Sequence, residues 1–161
     1  MKLKANFLVC LLLWTSAFSL LAATEPFSVT LHAPDGTVKI GSELHLKVKI
    51  TNTSNREIRF AKGFGNEEYD LDVEVRDAEG KTPPLTTSYR EVKEHPGGGS
   101  YSTYVLEPGK SFEDDLVLTK LYVITQPGKY TVRVTRGQRP LWQDVKQNTV
   151  KSNTITLTIT E

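Results

Sequence analysis

The stretch KLYVITQPGKYTVRVTR, Lys120–Arg136, holds a Pro-Gly turn between two apolar runs, with a tyrosine two residues after the glycine. Tyr130, Val132 and Val134 alternate with Thr131, Arg133 and Thr135, the period-two pattern of a strand with one dry and one wet face. Pro127-Gly128 turns the chain immediately before it. This reads as the corner of a β-sandwich, where Tyr130 buries its ring and hydrogen-bonds back to backbone.

The same alternation runs outward in both directions. Phe27, Val29 and Leu31 alternate with polar residues before the turn Pro34-Asp35-Gly36. Leu44, Leu46, Val48 and Ile50 alternate with Glu43, His45, Lys47 and Lys49, and Asn52-Thr53-Ser54-Asn55 follows as a loop. Ile58 and Phe60 form a short strand, and Tyr69, Leu71, Val73 and Val75 a longer one that Asp77-Ala78-Glu79-Gly80 closes. Phe112, Leu116 and Leu118 fit a strand interrupted by a bulge, and Ile155, Leu157 and Ile159 alternate with threonines. Residues 81–104 read as a long loop with one short edge strand near Thr86–Tyr89, and no stretch holds a helical period. The expectation is all-β: an immunoglobulin-like antiparallel β-sandwich of about seven to eight strands without a disulfide. Tyr130 takes the corner position and Val132 the place of the second cysteine. Leu46 or Val48 faces Val132 across the sheets, and aliphatic packing replaces the bridge.

The chain opens with Lys2 and Lys4, an uncharged apolar run to Ala23, and then Thr24-Glu25-Pro26, the pattern of a secretory signal peptide over residues 1–23. An uncleaved anchor is the alternative, at about the 17-residue lower limit of a spanning helix. Cleavage leaves 24–161 as one domain, secreted or periplasmic, with no stable membrane insertion. That domain holds 138 residues, with 18 Lys+Arg against 19 Asp+Glu. This balance gives no basic footprint for a nucleic-acid partner. Cys10 leaves with the leader, which excludes thiol catalysis and cysteine metal sites and leans toward a bacterial envelope protein.

GSELHLKVKITNTSNREIRF is similar to the B strand, loop and C strand of bacterial secreted immunoglobulin-like domains. TNTSNREIRF, YDLDVEVRDAEGK, LEPGKS and PGKYTVRV also resemble the bacterial intracellular proteinase inhibitor domain family, over roughly Gly41–Thr135. That resemblance implies the sandwich fold and, for the family, binding to a protease. The export pattern departs from it, and no inhibitory residue maps onto this chain.

Chemistry is sparse. His32 and His45 lie on the wet faces of early strands, but no third ligand completes a zinc site. His95 and Ser100 flank a triple glycine without a nucleophile elbow or an orienting acid. Glu67, Glu68, Asp70, Asp72 and Glu74, and again Glu113-Asp114-Asp115, suit a solvated face better than a calcium cage. No cofactor or metal is expected, and no enzyme activity. The segment GQRPLWQDVKQNTVK, 137–151, joins the last two strands and carries Arg139 and Trp142, with Arg136 just before it. Trp142 is the one tryptophan after the leader. Tryptophan and arginine are enriched at binding hot spots. In this topology the loop shares an end with Asn52–Glu57, so Trp142, Arg139, Arg136, Asn52 and Asn55 are the candidate partner-binding residues. The plainer reading is that Leu141 and Trp142 cap the open end of the sandwich. Loop 81–104, with Tyr89, Tyr101 and Tyr104, is a second candidate. The functional expectation is a non-catalytic extracytoplasmic module that binds a protein or glycan. A protease inhibitor presenting an exposed loop, or a structural accessory domain of an envelope assembly, is the alternative.

Overall fold

The computed structural model describes residues 25–63, 71–95, 101–137 and 149–161. Residues 1–24, where a signal peptide is expected, and Glu67, Glu68, Asp70, the triple glycine, Arg139 and Trp142 lie outside them. The described chain is an all-β sandwich. One sheet has the order β1 (Phe27–His32), β3 (His45–Asn52), β7 (Ser111–Val117). The second has the order β2 (Val38–Lys39), β10 (Ile155–Thr160), β8 (Gly128–Gly137), β5 (Leu71–Arg76), with β9 (Thr149–Lys151) also on β8. A separate ribbon pairs β4 (Ile58–Gly63) with β6 (Tyr101–Leu106). The described strands exceed the expected number because β2 and β9 are too short to show a period. All pairings are antiparallel except β2 with β10.

The alternating apolar rows become one core. Leu46, Val48 and Ile50 from β3 join Val73 and Val75 from β5, Val132 and Val134 from β8, and Leu157 and Ile159 from β10. Val132 is fully buried within this set. At the corner, Tyr130 is buried and its Oη donates to the Gln126 carbonyl oxygen at 2.9 Å. Gly128 has φ +147°, a conformation that L side chains rarely adopt, so the residue that turns the chain here is a glycine for a backbone reason. At the other end, Glu107-Pro108-Gly109-Lys110 closes with Lys110 N donating to the Glu107 oxygen, Gly109 at φ +72°. This is the chemistry of a type II turn.

Two expectations are corrected. Residues 87–94 form a helix, α1 (Thr87–Glu94), in place of an edge strand. Thr86 caps it, with its Oγ1 accepting from Tyr89 N, and Pro96 follows shortly after its end. Leu85, Tyr89 and Val92 give it a short apolar stripe, of which Tyr89 is buried against Tyr122. Second, β7 carries no bulge: it pairs with β3 without a break from His45↔Val117 to Thr51↔Ser111, so Asp114 occupies the inward row between Phe112 and Leu116. The short strand expected at Ile58 and Phe60 is present as the start of β4, which pairs with β6, while β5 lies beside β8.

The outer faces are ladders of opposite charge. On the three-stranded sheet, Lys47 Nζ lies 2.7 Å from Asp115 and Lys49 Nζ 3.6 Å from Glu113. The hydrogen bond and charge of Asp115 raise the Lys47 pKa, and Lys47 in turn lowers that of Asp115. On the second sheet, Glu74 accepts from Arg133 at 2.7 Å and Arg76 at 3.3 Å, and these bonds hold its carboxyl below the ordinary glutamate range.

Removing the corner bond with Tyr130→Phe lowers stability by about 1 kcal/mol, measured by urea unfolding. Glu74 has a depressed folded pKa, so its contribution is present above the unfolded value and lost as pH falls through the folded one. The melting temperature of the wild type therefore exceeds that of Glu74→Gln at neutral pH. The gap closes in the acid limb below the ordinary glutamate range, as followed by circular dichroism. A gap independent of pH rules the ion pairs out as its source.

Candidate functional site

The candidate residues that the structure describes gather at one pole of the sandwich. Asn52 stands opposite Phe27 in the β1–β3 ladder. Phe27 packs edge-on against Phe60 of β4, ring centroids 5.0 Å apart. Phe60 in turn meets Phe112 of β7 at 6.3 Å, and the Arg136 guanidinium lies 5.8 Å from the centre of the Phe60 ring. Phe60 thus touches β1, β7 and β8 together, and the ribbon closes the pole with an aromatic plug. The loop after Asn52 and the end of β8 share this pole.

Two of the candidates are corrected here. Asn52 is 1% exposed and Arg136 6% exposed, so neither is a surface contact. Asn52 is a joint in the backbone. Its Nδ2 donates to the carbonyl oxygens of Arg56 at 2.8 Å and Leu106 at 2.7 Å. Its Oδ1 accepts from Ser54 N at 2.9 Å and Ser54 Oγ at 2.7 Å. Its own N–H donates to the Lys110 oxygen and its own carbonyl accepts from Gly109 N. One side chain therefore ties β3, the following turn, the start of the ribbon and the β6–β7 turn together. Arg136 continues the inward row of Val132 and Val134 and lays its cation on an aromatic face. Asn55 is exposed, as are Arg56 and Glu57 beside it, and these form the accessible rim of the Asn52 turn.

The ribbon adds residues that sequence reasoning placed only in a loose loop. Tyr104 is 43% and Val105 49% exposed, on opposite faces of β6, with Tyr104 stacked on Phe112 at 6.0 Å. A run of Tyr, Thr and Val after the glycines was the available signal for this strand.

A groove of about 310 Å³ lies at the opposite pole, where β3 begins. Val38, Ile40, Leu44, Val123, Ile124 and Ile159 form its apolar lining. Three of the hydroxyls around it are already used: Thr119 Oγ1 accepts from Leu44 N, Thr86 Oγ1 donates to the Lys120 oxygen, and Tyr122 Oη donates to the Val73 oxygen. Burial pushes the Tyr122 pKa up. Lys39, Ser42 and Glu43 complete its polar lining. His32 and His45 are both exposed; His32 pairs with Lys47 across the ladder, and His45 Nε2 lies 3.1 Å from Glu43. Among the described residues no three His, Cys, Asp or Glu side chains cluster as metal ligands.

A family model matches residues 28–160, the whole of this sandwich: Flagellar collar protein C, N-terminal domain. The chain belongs to this bacterial family. The motifs that resemble the proteinase inhibitor domain have sandwich roles here: TNTSNREIRF is the Asn52 turn and the start of the ribbon, and PGKYTVRV is the tyrosine corner. No curated protein matches the chain. Among solved structures, the C-terminal domain of Wzt is similar at TM-score 0.48 and 9% identity, over 85% of this chain and 75% of that one. A β-glucosidase from Listeria innocua in complex with glucose is similar at TM-score 0.36 and 17% identity, and one from Erythrobacter marinus at 0.38 and 13%. Each covers 80% of this chain, which spans 16% of the glucosidase's length. These likenesses carry no argument about activity.

Asn52→Ala removes the side-chain donor to the buried Leu106 carbonyl, while Ser54 Oγ still donates to that of Arg56, and unfolding in urea shows a loss of about 1–3 kcal/mol. Asn55→Ala, on the exposed rim of the same turn, changes stability by less than about 0.5 kcal/mol. Equal effects at the two positions contradict the assignment of Asn52 as the joint.

Proposed function

We propose that this domain is a structural, non-catalytic component of a flagellar or envelope assembly, held outside the cytoplasm by contacts with other proteins. The observation that carries this reading is the family match across the entire sandwich. The architecture supports it. The Asn52 joint and the Phe60 plug make one pole rigid, and a rigid pole can present short loops at little entropic cost on binding. Asn55, Arg56 and Glu57 on that rim are the residues placed to meet a partner. A protein partner is favoured over a glycan because the matching family is that of a collar protein, which meets other proteins in its assembly.

The test is deletion of the gene and imaging of the flagellum by electron cryotomography. Collar density is lost in the deletion and restored by the wild-type chain, and fractionation places the chain outside the cytoplasm. Intact collar density in the deletion strain, or a cytoplasmic chain, overturns the proposal.

A further inference from the structure

The groove at the start of β3 lies away from the Asn52 joint and plays no part in closing that pole. Val38, Ile40, Val123 and Ile124 make its wall apolar, and Val123 is 42% exposed, so an aliphatic side chain faces water there. Sites that take small molecules combine an apolar wall with a few convergent polar groups, in volumes from about 300 Å³ upward. At about 310 Å³ this groove stands at the lower end of that range.

One turn supplies the polar groups. Ser42 N donates to the Lys39 oxygen at 3.2 Å, and Gly41 between them has φ +80°. Such a turn sets the Cα atoms of Lys39 and Ser42 within about 7 Å of each other. Both residues line the groove and both are exposed. Among the described residues, neither the Lys39 ammonium nor the Ser42 hydroxyl has a hydrogen-bond or ion-pair partner. The long apolar stem of Lys39 lets its head lie over the edge of an apolar wall. The one acidic residue of the lining, Glu43, lies 3.1 Å from His45 Nε2. The groove mouth thus holds two unused donors, one of them a cation, while its anion is engaged with a residue outside the groove.

We propose that this groove binds a single-chain aliphatic carboxylate, its chain along Val38, Ile40, Val123 and Ile124 and its head on Lys39 and Ser42. Charge selects the head: a cation with a hydroxyl beside it favours an anion that accepts hydrogen bonds from both. Volume selects the tail. At about 30 Å³ per water-sized group the groove holds on the order of ten heavy atoms, the size of octanoate. The C-terminal leucine of a partner chain carries the same head on a shorter tail, which leaves much of the apolar wall uncovered. The inference goes beyond the assembly reading and does not rest on it.

Titration of the isotope-labelled full chain with sodium octanoate, to about 20 mM, tests it by heteronuclear NMR. The amide signals of residues 39–44 and 119–124 move together and saturate with a millimolar dissociation constant. Octylammonium, the same chain with the opposite charge, binds about fivefold more weakly, the order of one exposed ion pair lost. Lys39→Glu weakens octanoate by a similar factor, and so does Val123→Asp, both at exposed positions and with the melting temperature unchanged. Lys151→Glu, on β9 beside the far end of β8, binds as the wild type. Shifts confined to residues 1–24 or absent from the groove, octylammonium that binds as tightly, or an equal loss in Lys151→Glu overturns the proposal. N-acetyl-leucine that binds more tightly than octanoate overturns the assignment of the tail. Collar density in the deletion strain is a separate readout, so a groove that fails to bind octanoate leaves the assembly reading standing.

Discussion

The carboxamide of Asn52 is the constraint around which the rest of the sandwich is arranged. At the end of β3 the chain leaves one sheet, turns within a few residues and starts a ribbon that belongs to neither sheet. Such a turn leaves the Leu106 carbonyl facing the protein interior and that of Arg56 part-buried beside Ser54 Oγ, and an unmade buried hydrogen bond costs about 1–3 kcal/mol. A short side chain with two donors and one acceptor meets the need. Aspartate has no donor when ionised, and alanine offers neither group. With those carbonyls satisfied, the ribbon is fixed at an angle that drives Phe60 between Phe27, Phe112 and Arg136. The pole closes without a disulfide because a polar joint and an aromatic plug do the work together.

Much of this was legible in the chain. The apolar rows of β1, β3, β5, β8 and β10 follow from period two, and the corner follows from Pro127-Gly128 and Tyr130. The same alternation carried a further signal that a motif-based reading passes over. Leu44, Leu46, Val48 and Ile50 continue to Asn52 on the core face, and Tyr130, Val132 and Val134 continue to Arg136. Parity alone assigned both polar residues to the interior, whereas their chemistry suggested a binding surface. Asp114 obeys the same rule in β7. Where a polar residue interrupts an inward row at the end of a strand, the row is the better guide.

The remaining misses have physical causes. α1 buries Tyr89 as its one fully covered side chain, so eight residues held by a threonine cap leave almost no periodic trace. Pairing of β4 with β6, across the intervening β5 and α1, is a choice of partner. Period two reports which face of a strand is dry but is silent on which strand lies alongside. Asn52 settles that choice here, through contacts that link positions 54 residues apart in the chain.

The protections along the strand edges also bear on how such a domain can serve an assembly. A component that must meet neighbours at defined places has to be inert everywhere else, because backbone edges pair with little regard for sequence. Asn153 on β1, Tyr122 and α1 on β5, and the acidic run of β7 each close off one route of indiscriminate pairing. Each device uses a different chemistry, a carboxamide, a phenol with a helix, and carboxylate charge, so no single change of conditions uncovers all the edges. Specificity in this sandwich thus comes as much from the edges that are shut as from the surfaces left open.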